Sequence, residues 1–221
     1  LRREAQSVAE EPQILIADDH PLFREALKVA LRRAAPMARV LEATNLAEAL
    51  SVAAHQPDLS LVLLDLRMSD SQGFSGLAQL HAERPSTPIL VVTGVEQPDA
   101  PQRARQFGAV GFVRKSEDLL QISAAIGCAL RGEGLIEANA QDDPCVVAMA
   151  ERIASLTPMQ IRVLLGVLNG KLNKQIAFEL NVGEATIKAH MTAVLRKLNV
   201  LNRTQAALAV RALDLEAEAP L

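Results

Sequence analysis

Three carboxylates, a hydroxyl and an ammonium stand at the ends of short apolar runs along the first half of the chain. Asp18 and Asp19 follow QILIA, Asp65 follows LVLL, Thr93 follows ILVV and Lys115 closes GFVRK. Oxygen-rich clusters of this kind suit a hard divalent cation such as Mg2+, which takes a few protein oxygens and completes its octahedron with water and phosphate oxygens. A cation held against an aspartate is also the arrangement that phosphoryl transfer requires, because the charge developing on the transferred group must be neutralised. Thr93 could then donate a hydrogen bond to a phosphoryl oxygen, and Lys115 could pair with another, or with Asp65 beforehand. Gly94 leaves room for the group to enter.

The elements that bring these residues together follow from the same runs. Each is short, rich in Val, Ile or Leu, and followed by a helical pattern, as expected of buried parallel strands. Strands are predicted near Gln13 to Ala17, Arg39 to Glu42, Leu59 to Leu64, Ile89 to Thr93 and Val110 to Val113. Helices are predicted over Pro21 to Ala34, Leu46 to His55, Phe74 to Arg84, Pro98 to Gln106 and Glu117 to Arg131. Five strands alternating with five helices predict an α/β, flavodoxin-like, five-stranded parallel sheet, whose ligands bind at the carboxyl ends of its strands. The polar residues fall at those ends.

The second half reads differently. Residues 132 to 153 contain GEG and DDP and read as a linker, with a short helix from Pro144 to Arg152. Beyond it, four helices predict an all-α domain. Thr157-Pro158-Met159-Gln160 is a capping box with proline at the first helical position, opening a helix that stops near Asn169-Gly170. Asn173 to Leu180, Ala185 to Leu198 and Arg203 to Leu213 follow. The expected division is a tail over 1–12, a first domain over 13–131, a linker over 132–153 and a second domain over 154–221.

The net charge of -3 conceals an asymmetry: from Ala154 to Leu213 eight Lys or Arg face two Glu. That local excess suits a small nucleic-acid-binding domain. No apolar stretch is long enough for a membrane span, and LRREAQSVAEEPQ has no signal-peptide core, so a soluble cytoplasmic protein is expected. Cys128 and Cys145 are accompanied by no ligands at metal spacing and read as reduced structural thiols.

DDH at 18–20, LLDLRM around Asp65, VVTG around Thr93 and GFVRK ending at Lys115 resemble the receiver domain of a two-component response regulator. LTPMQIRVL, NKQIAFELNVGEATIKAHMTAVLRKL and NRTQAAL resemble the LuxR-type helix-turn-helix domain of NarL/FixJ response regulators. Together the two resemblances cover nearly the whole chain. They imply a DNA-binding transcriptional regulator, not an enzyme. A histidine kinase would phosphorylate Asp65, with Mg2+ held by Asp18, Asp19, Asp65 and the Arg67 carbonyl, and with Phe112 as the aromatic switch residue beside Thr93.

On the third helix of the second domain, Lys188, Ala189 and Thr192 would face base edges of double-stranded DNA. Lys174, Thr186, Arg196 and Lys197 would hold phosphates. The last helix, through Thr204, Ala207 and Val210, would pair two copies into a dimer on DNA, and RNA polymerase is a further candidate partner. Phosphorylation would release the recognition helix from the receiver.

Two departures stand out. Ser69 replaces the usual proline four residues after Asp65, leaving the loop Ser69-Asp70-Ser71-Gln72 more polar and freer. Met159 and Gln160 replace the usual basic residue and glutamate. An alternative reading keeps the DNA-binding domain but has the receiver respond to a ligand or partner without phosphorylation. A phosphohydrolase would want a second acid two residues after Asp65, where Arg67 stands.

Overall fold

The computed structural model describes residues 11–71, 73–134 and 144–211. Five strands, β1 Gln13–Ala17, β2 Arg39–Ala43, β3 Leu59–Leu64, β4 Ile89–Thr93 and β5 Ala109–Arg114, form one parallel sheet in the order β2-β1-β3-β4-β5. Five helices alternate with them: α1 Pro21–Ala34, α2 Leu46–His55, α3 Ser75–Glu83, α4 Ala100–Gln106 and α5 Leu119–Leu130. This is the doubly wound, flavodoxin-like order that the strand-end pattern predicts.

Strand residues alternate between the two faces of the sheet. Ile14, Ile16, Leu61, Leu63, Leu90 and Val92 pack with Leu27 and Leu31 of α1 and Ile122 and Ile126 of α5. Leu15, Ala17, Val62, Leu64, Ile89 and Val91 pack against α2, α3 and α4 on the other side. Because both faces are covered, the inner strands β1, β3 and β4 are apolar at nearly every position, whereas the edge strand β2 carries exposed Arg39 and Glu42.

Local chemistry sets the helix ends. Pro21 starts α1 and Asn45 caps α2, accepting from the Glu48 amide. Asp118 and Gln121 form a capping box on α5, which therefore begins at Leu119 rather than Glu117. Helix α4 begins at Ala100, two residues after the expected Pro98, with Pro101 in its first turn, where the missing amide costs nothing.

The remaining helices are α6 Pro144–Ala154, α7 Pro158–Leu168, α8 Asn173–Glu179, α9 Glu184–Leu198 and α10 Arg203–Arg211. The predicted capping box opens α7: Thr157 Oγ1 accepts from the Gln160 amide at 3.4 Å, and Gln160 Oε1 accepts from the Thr157 amide at 3.0 Å. A Cβ on Gly166 would lie 2.8 Å from Ile176, so glycine there permits the close approach of α7 and α8. Asn199 ends α9 in the left-handed conformation, φ 57°. The predicted tail up to Glu10, the linker stretch 135–143 and the predicted end of α10 beyond Arg211 lie outside the described residues.

The two halves meet through α3 and α4 on one side and α6 and α7 on the other, and their apolar cores are continuous. Arg162 of α7 approaches Glu83 of α3 at 3.9 Å. Among the described residues, no helix is long and apolar enough to cross a membrane.

Candidate functional site

Strand register brings the acidic residues together. Ala17 pairs with Leu64, so Asp18 and Asp65 emerge side by side at the carboxyl edge of the sheet. The Asp65 amide donates to the Ala17 carbonyl at 2.9 Å and the Lys115 amide to the Thr93 carbonyl at 2.9 Å, extending the ladder one residue beyond the strands. Asp18 is 1% exposed, and Asp65 is buried beside it. Lys115 Nζ lies 2.7 Å from Asp18 Oδ2 and 2.7 Å from Asp65 Oδ2, and 4.7 Å from the centre of the Phe23 ring.

The other site residues are held from several directions. Arg24 Nη1 donates to the Asp18 carbonyl at 2.8 Å and the His20 amide to Asp18 Oδ1 at 2.8 Å. The Arg67 amide donates to Asp65 Oδ1 at 3.1 Å. Arg24 also bonds Glu42, whose carboxyl lies below the ordinary range, chiefly because Lys28 donates to it. Asp65, Arg67, Gly94 and Lys115, with His20, Leu22 and Phe23, line an open hollow of about 490 Å3. A Cβ on Gly94 would meet nothing within 4 Å, so the opening does not depend on glycine there.

Polar atoms of Asp18, Asp19, His20 and Asp65 lie within 4.8 Å of one another. Three carboxylates against the single ammonium of Lys115 leave an excess of negative charge, two of the carboxylates being buried. Burial of unpaired charge is costly, so the donor set fits a divalent cation with oxygen preference. Thr93 is 0% exposed, and its Oγ1 has no hydrogen-bond partner among the described residues. An orphaned buried hydroxyl at the same edge is what a group carried on Asp65 would satisfy.

His20 is the site residue that pattern reading passed over. It occupies the N-cap of α1 without bonding that helix through its side chain. Its ring instead folds over the acidic pair, with Nδ1 2.8 Å from Asp19 Oδ1 and 3.3 Å from Asp18 Oδ1. The DDH triplet was the available signal.

In the second half, α9 packs on α6, α7, α8 and α10 through Ile187, Met191, Val194 and Leu198. Lys188, Ala189, Thr192 and Arg196 are exposed on its opposite side, with Lys188 paired to Glu184 at 2.9 Å.

Residues 14–127 match the family described as response regulator receiver domain, and residues 154–210 match the bacterial regulatory proteins of the luxR family. The chain belongs to the NarL/FixJ subfamily of two-component response regulators. It is 37% identical over 221 residues to the glycerol metabolism activator of Pseudomonas putida, covering 93% of this chain and 97% of that one. With the nitrate/nitrite response regulator protein NarL of Escherichia coli (strain K12) it shares 32% over 204 residues, covering 90% and 94%. Among solved structures, the Salmonella typhimurium RcsB response regulator has the same fold at 21% identity, with a TM-score of 0.52 over 92% of this chain and 98% of that one.

Within this response regulator, three expectations need correction. Val210, expected at the dimer face, is 0% exposed and packs in the core, as does Ala206. On α10 the exposed apolar side chain is Leu208, at 62%, with Thr204 exposed and Ala207 partly so. The helix turns Ala206 and Val210 inward and leaves the larger Leu208 outside, and periodicity alone could not say which stripe was inward.

The receiver's α3 and α4 meet α6 and α7, and the outward residues of α9 are already open, so the recognition helix needs no release in this structure. The loop after Asp65 is not free: Ser69 and Asp70 are both tied to other elements. Gln72 lies outside the described residues.

Phe112 is half-buried against the core. Lys197 Nζ donates to the Ser155 carbonyl at 2.6 Å and Thr192 Oγ1 to the Lys188 carbonyl at 3.0 Å, so both spend a donor inside the domain. Lys174 and Thr186 are exposed near the starts of α8 and α9.

Proposed function

We propose that Asp65 accepts a phosphoryl group from a histidine kinase and that this modification controls how the second domain binds DNA. The observation that carries the reading is the pair of buried aspartates Asp18 and Asp65 bridged by the partly buried Lys115, with the Thr93 hydroxyl, unpartnered among the described residues, at the same sheet edge. Asp18, Asp19, Asp65 and the Arg67 carbonyl would hold Mg2+, which supplies charge neutralisation for the transferring phosphoryl group when bound.

The phosphorus–nitrogen bond of the kinase phosphohistidine breaks as a phosphorus–oxygen bond to Asp65 forms. Lys115, already 2.7 Å from Asp65 Oδ2, then pairs with a phosphoryl oxygen. Thr93 donates its hydroxyl to another and is drawn toward Asp65, and Phe112 fills the space that Thr93 leaves. The change is a shift between two arrangements whose populations phosphorylation biases.

On DNA, Lys188, Ala189 and Thr192 would read base edges in the major groove while Lys174, Thr186 and Arg196 hold phosphates, with Lys197 in a smaller share. The functional division we propose is tail 1–12, receiver 13–131, linker 132–153 and DNA-binding domain 154–221, with α6 bridging the linker to α9. Two copies would pair along α10 through Thr204 and Ala207, with Leu208 added and Val210 removed from that face.

The test is operator affinity, on a site recovered by selection from random duplexes, measured with and without Mg2+ and a small phosphoryl donor. Affinity should rise on phosphorylation, and Lys188→Ala should lower it about tenfold or more and relax base preference at one position. Equal affinity in both states would favour the regulator that works without phosphorylation.

A further inference from the structure

Four residues after Asp65, where the resemblance to receiver domains implies proline, this chain has Ser69, and a proline has no amide hydrogen to donate. Here the Ser69 amide donates to Asp19 Oδ2 at 3.0 Å. The bond fixes one oxygen of a partly exposed side chain, whose other oxygen, Oδ1, lies 2.8 Å from His20 Nδ1 at the acidic cluster.

The next residue anchors the loop that carries this amide. Asp70 Oδ1 accepts from the Leu46 amide at 2.7 Å, and Asp70 Oδ2 accepts from the Ala47 amide at 2.9 Å. Those are the first two amides of α2, which have no partner inside the helix and lie at its positive end. Asn45 already caps α2 by accepting from the third amide, Glu48, at 2.8 Å. Asp70 therefore enters from outside, bridging 24 positions of sequence, and the helix end serves as its fixed point.

Two further contacts make the segment stiff. Met68 and Ser71 exchange amide-to-carbonyl bonds at 3.0 Å each, and Ser71 Oγ meets Ser75 Oγ at 3.4 Å at the start of α3. Upstream, the Arg67 amide is tied to Asp65 Oδ1. The loop thus runs from the acceptor to α2 with Ser69 held between anchors by hydrogen bonds, one of which, that of the Ser69 amide, a proline at 69 would remove.

We propose that Asp70 is a positioning residue of the cation site, acting through the Ser69 amide on Asp19. This rests on the reading of Asp18, Asp19 and Asp65 as the Mg2+ ligands. Pinned to α2, Asp70 fixes the Ser69 amide, and the amide fixes the Asp19 carboxylate in the orientation that cation binding needs. Losing the anchor returns rotamer freedom to Asp19, which cation binding must then remove again. The loss of one hydrogen bond to a charged group sets the expected weakening at about tenfold.

The experiment is Mg2+ binding to the full unphosphorylated chain by calorimetry, with thermal melting of the same samples in chelator. Asp70→Ala and Ser69→Pro should each weaken Mg2+ binding about tenfold. The double variant should be no weaker than either alone, because both changes break one link. Asp70→Asn, which keeps one acceptor for α2, should fall between Asp70→Ala and wild type and covers the case in which Ser69→Pro does not fold.

Melting that drops in Asp70→Ala while Mg2+ affinity stays within about twofold of wild type would reduce Asp70 to a helix anchor and overturn the proposal. Losses that multiply in the double variant would overturn it as well. Asp19→Asn is the control for the reading beneath: if wild type takes up no Mg2+, or Asp19→Asn binds it as tightly, the ligand assignment itself falls and the inference with it.

Discussion

Replacing Thr93 by valine keeps the shape of the side chain and removes only its hydroxyl, which makes it a test of why that hydroxyl is there. The residue is 0% exposed and its Oγ1 has no partner among the described residues. An unpaired buried hydroxyl costs about 1–3 kcal/mol. In the unphosphorylated protein, Thr93→Val should therefore stabilise by about 1 kcal/mol or more, equivalent to about 2–4 °C in melting temperature for a chain of this size.

Once Asp65 carries a phosphoryl group, the hydroxyl gains an anionic acceptor, and a hydrogen bond to a charged group contributes about 1.5–3 kcal/mol. Wild type should gain that increment and the valine variant should not. The assay is melting and urea denaturation of both proteins, alone and with Mg2+ and beryllofluoride as a phosphoryl mimic. The ranking of the two proteins should reverse between conditions. A valine variant that loses more than about 1 kcal/mol without the mimic would mean that the hydroxyl has a structural partner and would refute the reasoning.

Three further outcomes follow from the same geometry. Lys115→Ala removes the ammonium 2.7 Å from both Asp18 and Asp65; it should destabilise the metal-free protein by about 3 kcal/mol and tighten Mg2+ binding, read by denaturation in chelator and by calorimetry. His81 packs against Gly108, where φ is 94° and a Cβ would lie 2.6 Å from the ring, and burial holds its imidazole below the ordinary value of 6.5.

The fold thus binds fewer protons than the unfolded chain at His81. That contribution to stability is complete above pH 6.5 and declines as pH falls from there toward the lower folded value; His81→Gln should flatten this part of a pH-stability profile. Val210→Ala should cost about 1–2 kcal/mol because Val210 is core, whereas Leu208→Glu should leave stability within about 0.5 kcal/mol and lower self-association in sedimentation. Stability insensitive to Val210 would return that residue to the dimer face.

What the sequence disclosed was what a local pattern can carry. A parallel strand covered on both faces must be apolar throughout, so Asp18, Asp65, Thr93 and Lys115 stand out as the polar residues that end such runs, and their meeting follows from the sheet order. The capping box at Thr157 is equally local.

The rest depended on contacts between distant positions. Asp70 reaches α2 across 24 residues and leaves no periodic trace, so the loop reads as free although it is anchored at several points. The inward turn of Val210 depends on where α7 and α9 lie. The meeting of α3 and α4 with α6 and α7 joins elements far apart in the chain and leaves no local pattern in any of them. His20 stands in the DDH triplet, yet only in the fold does its ring come to lie over the carboxylates rather than cap α1.

The most direct measurement is the intact mass of the protein after incubation with Mg2+ and a small phosphoryl donor, with Asp65→Asn run beside it. Wild type should gain the mass of one phosphoryl group, lost on treatment with base or hydroxylamine, and the variant should gain none. A folded wild-type protein that gains nothing, or a variant that gains as much as wild type, would contradict Asp65 as the switch.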